Sequence, residues 1–241
     1  MAIRQYLAMT ASEIAAASPL PPQIAWMACH FSPYGMGLSN QPHKLPKGSL
    51  LILNDRTPIH LHDPLLVACQ LSSLLQRLSC AGLLLDFQRP GCEEQGTLCA
   101  FLADTLPYPV AISSLYARYA DSPVFLPAAP CHIPLEKYIA PWRGREVWLE
   151  LALDCQELLL TSQGCRIRNI PHPGDTASFH QDERLHCHYR PQVTPGSAMF
   201  TLLRTHEDLT DLTSQAEALG ITTTVGLYQE LCGRKVTIVP R

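Results

Sequence analysis

The chain has 241 residues, 46% of them hydrophobic and 16% charged, with 21 prolines and a formal net charge of −3. That length and apolar content can bury a sizeable core, which excludes a disordered or fibrous chain. No Lys/Arg block gives an electrostatic footprint for nucleic acid, and no apolar window is long enough to cross a bilayer.

Taken in chain order, Met1 to Ser18 holds a single Arg and mixes Gln5, Thr10, Ser12 and Glu13 into its apolar residues. It lacks the continuous apolar segment of an export signal. The ten cysteines, at 29, 69, 80, 92, 99, 131, 155, 165, 187 and 232, form no CxxC pair. Together these features predict a cytoplasmic protein with reduced, mostly buried thiols.

Short apolar runs predict strands over Ile24–Phe31, Leu50–Asn54, Gly82–Phe87, Val110–Ser113, Val124–Leu126, Val147–Leu153, Ala198–Leu203 and Thr222–Tyr228. Most are apolar without alternation, the pattern of strands covered on both faces of a parallel sheet. Helical spacing lies between them over Pro64–Ser79, Glu93–Leu106 and Glu207–Leu219. Asp63 stands as N-cap before Pro64, and Gly220 follows the last helix as its C-terminal cap. Strand–helix alternation with about eight strands predicts an α/β fold, a (β/α)8-type TIM barrel. A doubly wound open sheet is the alternative.

The alternation fails in places, so the barrel is expected to be truncated or irregular there. Ser32–Ser49 is a Pro/Gly-rich loop without a helix, in which a further strand could hide, and Ser122–Pro134 is short for a crossover. Leu158–Leu160 and Cys165–Ile170, around Gln163-Gly164, predict a hairpin followed by a His-rich polar stretch. Residues 157–195 are therefore read as an insertion within one barrel domain spanning 1–241.

In parallel barrels the active site forms at the C-terminal ends of the strands. Those ends supply Asn54, Asp55, Asp86, Gln88, Arg89, Tyr116, Glu150, Arg204, Tyr228 and Glu230. Asp86 is the sharpest of them. It follows Leu83-Leu84-Leu85 and precedes Phe87-Gln88-Arg89-Pro90-Gly91, so it projects where a buried strand opens into a loop. An Asp in that place also suits a plain acceptor for its own loop backbone.

The segment from Cys80 to Pro90 resembles the motif strand of glycoside hydrolase family 18, the chitinase-type barrels, whose pattern is D-G-x-D-x-D-x-E followed by an aromatic and Pro. Gly82 matches the glycine, Asp86 the last Asp, Phe87 the aromatic before the catalytic Glu, and Pro90 the trailing proline. The closing order of strand, helix Glu207–Leu219, Gly220 and strand Thr222–Tyr228 is similar to the family's. Tyr228 stands where the family places a Trp that floors the sugar site, with Glu230 in the acidic segment beyond.

The resemblance implies a mechanism that the residues here do not complete. In the family the substrate's N-acetyl oxygen attacks the anomeric carbon while the Glu protonates the leaving oxygen. Here Gln88 occupies the Glu position, Leu84 replaces the middle Asp and Ala81 the first. An amide cannot act as a general acid. The expectation is a catalytically degenerate barrel that binds a carbohydrate of amino-sugar type. Asp86, Gln88, Asn54, Asp55 and Glu150 would then hydrogen-bond the sugar, with Tyr228 or Tyr116 stacking on a ring face. The alternative is an active glycoside hydrolase whose acid has moved to Glu150 or Glu230.

Another constellation points to different chemistry. His60-Leu61-His62-Asp63 has the HxH spacing of barrel metallohydrolases, and His186 and His188 with Asp55 and Asp86 could complete a zinc site. That spacing belongs on a strand, whereas here it follows Thr57-Pro58 in a loop entering a helix, so the plainer reading is a solvated loop. No cofactor is implied. Gly35-Met36-Gly37 opens no helix, no G-x-S-x-G elbow is present, and no cysteine sits in a nucleophile motif.

Overall fold

The computed structural model describes residues 3–33, 37–57, 63–173 and 176–232. Eight parallel strands form the barrel: β1 (Arg4–Met9), β2 (Ile24–Phe31), β4 (Leu50–Asn54), β5 (Gly82–Asp86), β6 (Val110–Ser113), β7 (Val124–Leu126), β8 (Val147–Leu151) and β14 (Thr223–Leu227). β1 pairs with both β2 and β14, which closes the sheet. The sheet is therefore a barrel, and the doubly wound alternative falls.

The missing strand lies at the N-terminus. Ser32–Ser49 instead carries β3 (Leu38–Ser39), a two-residue antiparallel partner of β2. The barrel keeps all its strands, and its irregularity is in the outer layer. Among the described residues only α2 (Pro64–Leu78), α3 (Glu93–Thr105) and α5 (His206–Ala218) are full helices, whereas α1 (Ala11–Ala16), α4 (Leu135–Ile139) and α6 (Tyr228–Leu231) span one or two turns.

The unbroken apolar runs of the strands have a direct cause. Leu50, Ile52 and Leu84 point into the barrel with Ala8, Ala111, Phe125, Trp148 and Val225. Their neighbours Leu51, Leu53, Leu83 and Leu85 point outward, onto Leu71 and Leu75 of α2 and Leu98 and Leu102 of α3. Both faces are covered, so alternation disappears. Gly82 opens β5 because a Cβ there would lie 2.8 Å from the carbonyl oxygen of Pro109. Asp63 caps α2 by accepting from Leu65 N at 2.9 Å. Gly220, at φ +85°, ends α5: its N–H bonds Glu217 O and that of Ile221 bonds Ala216 O, each at 3.0 Å.

Between β8 and α5 the chain builds more than a hairpin. β9 (Cys155–Thr161), β10 (Gly164–Asn169), β11 (His180–Asp182), β12 (Cys187–Thr194) and β13 (Ser197–Leu203) form an antiparallel sheet in the order β10-β9-β13-β12-β11. The run Ala198–Leu203 belongs to this sheet, where it pairs with β9 and β12, and not to the barrel. The foot of the sheet is tied to the barrel. Arg204 is 1% exposed and its guanidinium donates to the carbonyls of Ala129 and His186, while His188 Nδ1 lies 2.8 Å from Asp208 Oδ2 at the start of α5. All ten cysteines are free thiols, and Cys29, Cys80, Cys99, Cys131, Cys155 and Cys187 are buried.

Candidate functional site

A cavity of about 520 Å³ opens at the C-terminal ends of the barrel strands. Its apolar lining comes from barrel-interior residues, among them Ala8, Ile52, Leu84 and Val225, with Met27 and Phe125. Its polar lining comes from strand ends and the loops that follow: Asn54, Asp55, Arg56, Asp86, Gln88, Arg89 and Glu150. Apolar walls with a few convergent polar groups are what a small ligand requires.

Asp86 ends β5, in register with Asn54 at the end of β4. The side-chain amide of Gln88 donates directly to Asp86 Oδ1. Burial pushes the Asp86 carboxyl above its ordinary value; the Gln88 bond opposes this, and the charge of Asp55 adds to it. The two residues thus form a pair on the cavity wall, one an acceptor and the other a donor with no acidic proton.

Asp55 has a different occupation. It is 4% exposed and accepts from Gln88 N at 3.1 Å, Arg89 N at 2.9 Å and Gln95 Nε2 at 3.1 Å. Three donors on one carboxylate fix the loop after β5, and with it the place of Gln88. Asn54 is likewise engaged by backbone: its Nδ2 donates to Met27 O and its Oδ1 accepts from Arg56 N, both at 3.1 Å. Asp55 thus lines the cavity while anchoring the loop after β5 through three of its acceptor sites.

Glu150 projects from β8 into the same cavity. Its Oε2 accepts one backbone bond, from Ala128 N at 3.2 Å. Burial raises its carboxyl to about 7, against the pull of that bond and with help from the charges of Asp86, Asp154 and Glu230. Glu230 is outside the cavity lining, and its Oε2 holds Leu153 N at 2.9 Å.

Neither tyrosine is a platform for a sugar ring. Tyr116 is 2% exposed, under the loop after β5, with its hydroxyl facing the Arg89 carbonyl and Gln95 Oε1. Tyr228 starts α6, is 6% exposed and packs on Met9 and Ile24. Burial inside the fold, which no local pattern encodes, removes both from the mouth. His60 and His62 lie outside the described residues. Among the described residues no group of three His, Cys, Asp or Glu side chains could hold a metal ion, and His188 is engaged by Asp208. Arg56 follows Asn54-Asp55 directly and also lines the cavity, beside Arg89; its only sequence signal is its place just past a strand end.

No family model and no curated protein sequence matches the chain. Solved structures do. The Group IV chitinase of Ostrinia furnacalis superposes with a TM-score of 0.60 at 9% identity, over 95% of this chain and 94% of the other. The fold is that of the chitinase-like barrels. A glycoside hydrolase family 18 N-acetylglucosaminidase from Paenibacillus barengoltzii is similar at TM-score 0.59 and 9% identity, covering 96% of this chain and 98% of its own. A chitinase-like agglutinin from Robinia pseudoacacia is similar at TM-score 0.58 and 12% identity, with 95% and 97% covered. In this chitinase-like barrel Asp86 sits on the fourth barrel strand, and the antiparallel sheet follows the seventh. Among the described residues no helix is long and apolar enough to cross a membrane.

Proposed function

We propose that the mouth of this chitinase-like barrel binds an amino-sugar oligosaccharide and does not hydrolyse it. The observation that carries this reading is the Asp86–Gln88 pair on the wall of the cavity. In the hydrolytic mechanism the residue at the Gln88 position must hold a proton and deliver it to the leaving oxygen. An amide has none to give, yet it keeps both donor and acceptor capacity for sugar hydroxyls. The likeness to a chitinase-like agglutinin is in keeping with this reading.

One observation favours a second reading. Glu150 shares the cavity, and its carboxyl sits at about 7, where a general acid works near neutral pH. A hydrolase with its acid relocated to Glu150 follows from that. Glu230 is the weaker replacement, because it is engaged by Leu153 N outside the cavity.

Calorimetric titration with chitotetraose, together with a count of new reducing ends, separates the two. The binding reading expects saturable heat, at least about tenfold weaker affinity in Asp86→Ala, and no new reducing ends. Turnover that survives in the wild type and vanishes in Glu150→Gln would establish the hydrolase instead. Equal affinity in the wild type and Asp86→Ala would remove the binding reading at this site.

A further inference from the structure

The polar chemistry of the cavity indicates which kind of sugar it suits, provided that the carbohydrate reading holds. Arg56 and Arg89 are exposed on adjacent loops, after β4 and β5, and both line the cavity. Among the described residues neither has a carboxylate within ion-pair distance. Of the two, Arg89 is the one that is not loosely held. Arg89 Nη2 donates to the Arg56 carbonyl at 3.0 Å, and the Arg89 backbone N–H is fixed on Asp55 at 2.9 Å. Anchoring of this kind lowers the ordering cost of binding.

A neutral amino sugar is poorly served by this lining. Phe125 is its single described aromatic, 6% exposed, and Tyr116 and Tyr228 are buried elsewhere. Little ring-stacking surface is left to recognise an uncharged sugar face. Guanidinium groups, by contrast, match a carboxylate in bidentate geometry. Of the acidic groups in the cavity, Asp86 and Glu150 are pushed toward their neutral forms by burial, and the charge of Asp55 faces the three N–H donors of its own loop.

We propose that the cavity selects an acidic amino-sugar oligosaccharide, its carboxylate gripped by Arg56 and Arg89. The carboxylate can come from a uronic acid or from a lactyl ether on the amino sugar. The test titrates the full-length protein with three probes: chitotetraose, which is neutral; a hyaluronan tetrasaccharide, which carries uronate; and the disaccharide of N-acetylglucosamine and N-acetylmuramic acid, which carries the lactyl carboxylate. At least one acidic probe should bind about tenfold or more tighter than chitotetraose, and which one does so identifies the source of the carboxylate. The preference should shrink as salt rises from about 0.05 M to about 0.5 M. It should be lost in the double variant Arg56→Gln, Arg89→Gln, whose thermal midpoint should stay within about 2 °C of wild type because both side chains are at the surface.

Chitotetraose binding as tightly as both acidic probes would overturn the selectivity and leave the carbohydrate reading standing. An acidic preference undiminished in the double variant would also overturn the role of the two arginines. If none of the three probes binds, both the carbohydrate reading and this inference fall.

Discussion

Two parts of the same barrel mouth use carboxylates in opposite ways. Over β4 and β5, Asp55 collects three N–H donors, is buried, and holds the loop that carries Gln88 and Arg89. Over β8 and the start of α6, Glu150 has a single backbone donor and a carboxyl raised to about 7 by burial. The first side is architecture: its carboxylate is engaged in fixing a loop. The second is chemically available, since a proton there is gained and lost near neutral pH. Position at a strand end therefore does not assign a role; the number of donors already on each carboxylate does.

Removing Asp55 should be the most damaging change. Asp55→Ala strands the N–H groups of Gln88 and Arg89 and the Gln95 amide, and should cost about 3–4 kcal/mol in urea unfolding. A loss below about 1 kcal/mol would show that the loop is held by other means. Tyr228→Ala should come next, at about 3 kcal/mol, because it empties a buried site against Met9 and Ile24. Its affinity for sugar, measured where the variant is folded, should stay within about twofold of wild type. A tenfold loss would return Tyr228 to the binding site.

Glu150→Gln should have the smallest effect on stability and the most specific signature. The folded carboxyl lies at about 7, above its ordinary value of 4.5. Its contribution is therefore fully present below about 4.5 and is lost as pH rises through about 7. The variant should be more stable than wild type at pH 8, on the order of 2 kcal/mol, with the advantage absent near pH 4.5. Parallel stability curves for the two proteins across that window would contradict a buried, raised carboxyl.

The barrel was readable where physics writes it locally. Strands covered on both faces appear as unbroken apolar runs, so β2, β4 to β8 and β14 stand out. β1 does not, because Arg4 and Gln5 at its start are exposed and dilute the run. Ser197–Leu203 looks like a barrel strand, since its apolar residues are the same kind. Only its pairing with β9 and β12, set by tertiary register, assigns it to the antiparallel sheet. The candidate site divides in the same way. Asp86, Gln88 and Glu150 were legible as polar residues ending apolar strands. That Tyr116 and Tyr228 are buried, and that Asp55 already has three donors, depends on loops packing over them, which residue type and spacing do not record.

The most direct test is a calorimetric titration of wild type and Asp86→Ala with neutral and acidic amino-sugar oligosaccharides, reducing ends being counted in the same samples. Saturable binding of at least one probe, about tenfold or more weaker in Asp86→Ala and with no new reducing ends, is the predicted result. No binding to any probe, affinity unchanged by Asp86→Ala, or steady release of reducing ends would contradict a sugar-binding barrel that has lost its acid.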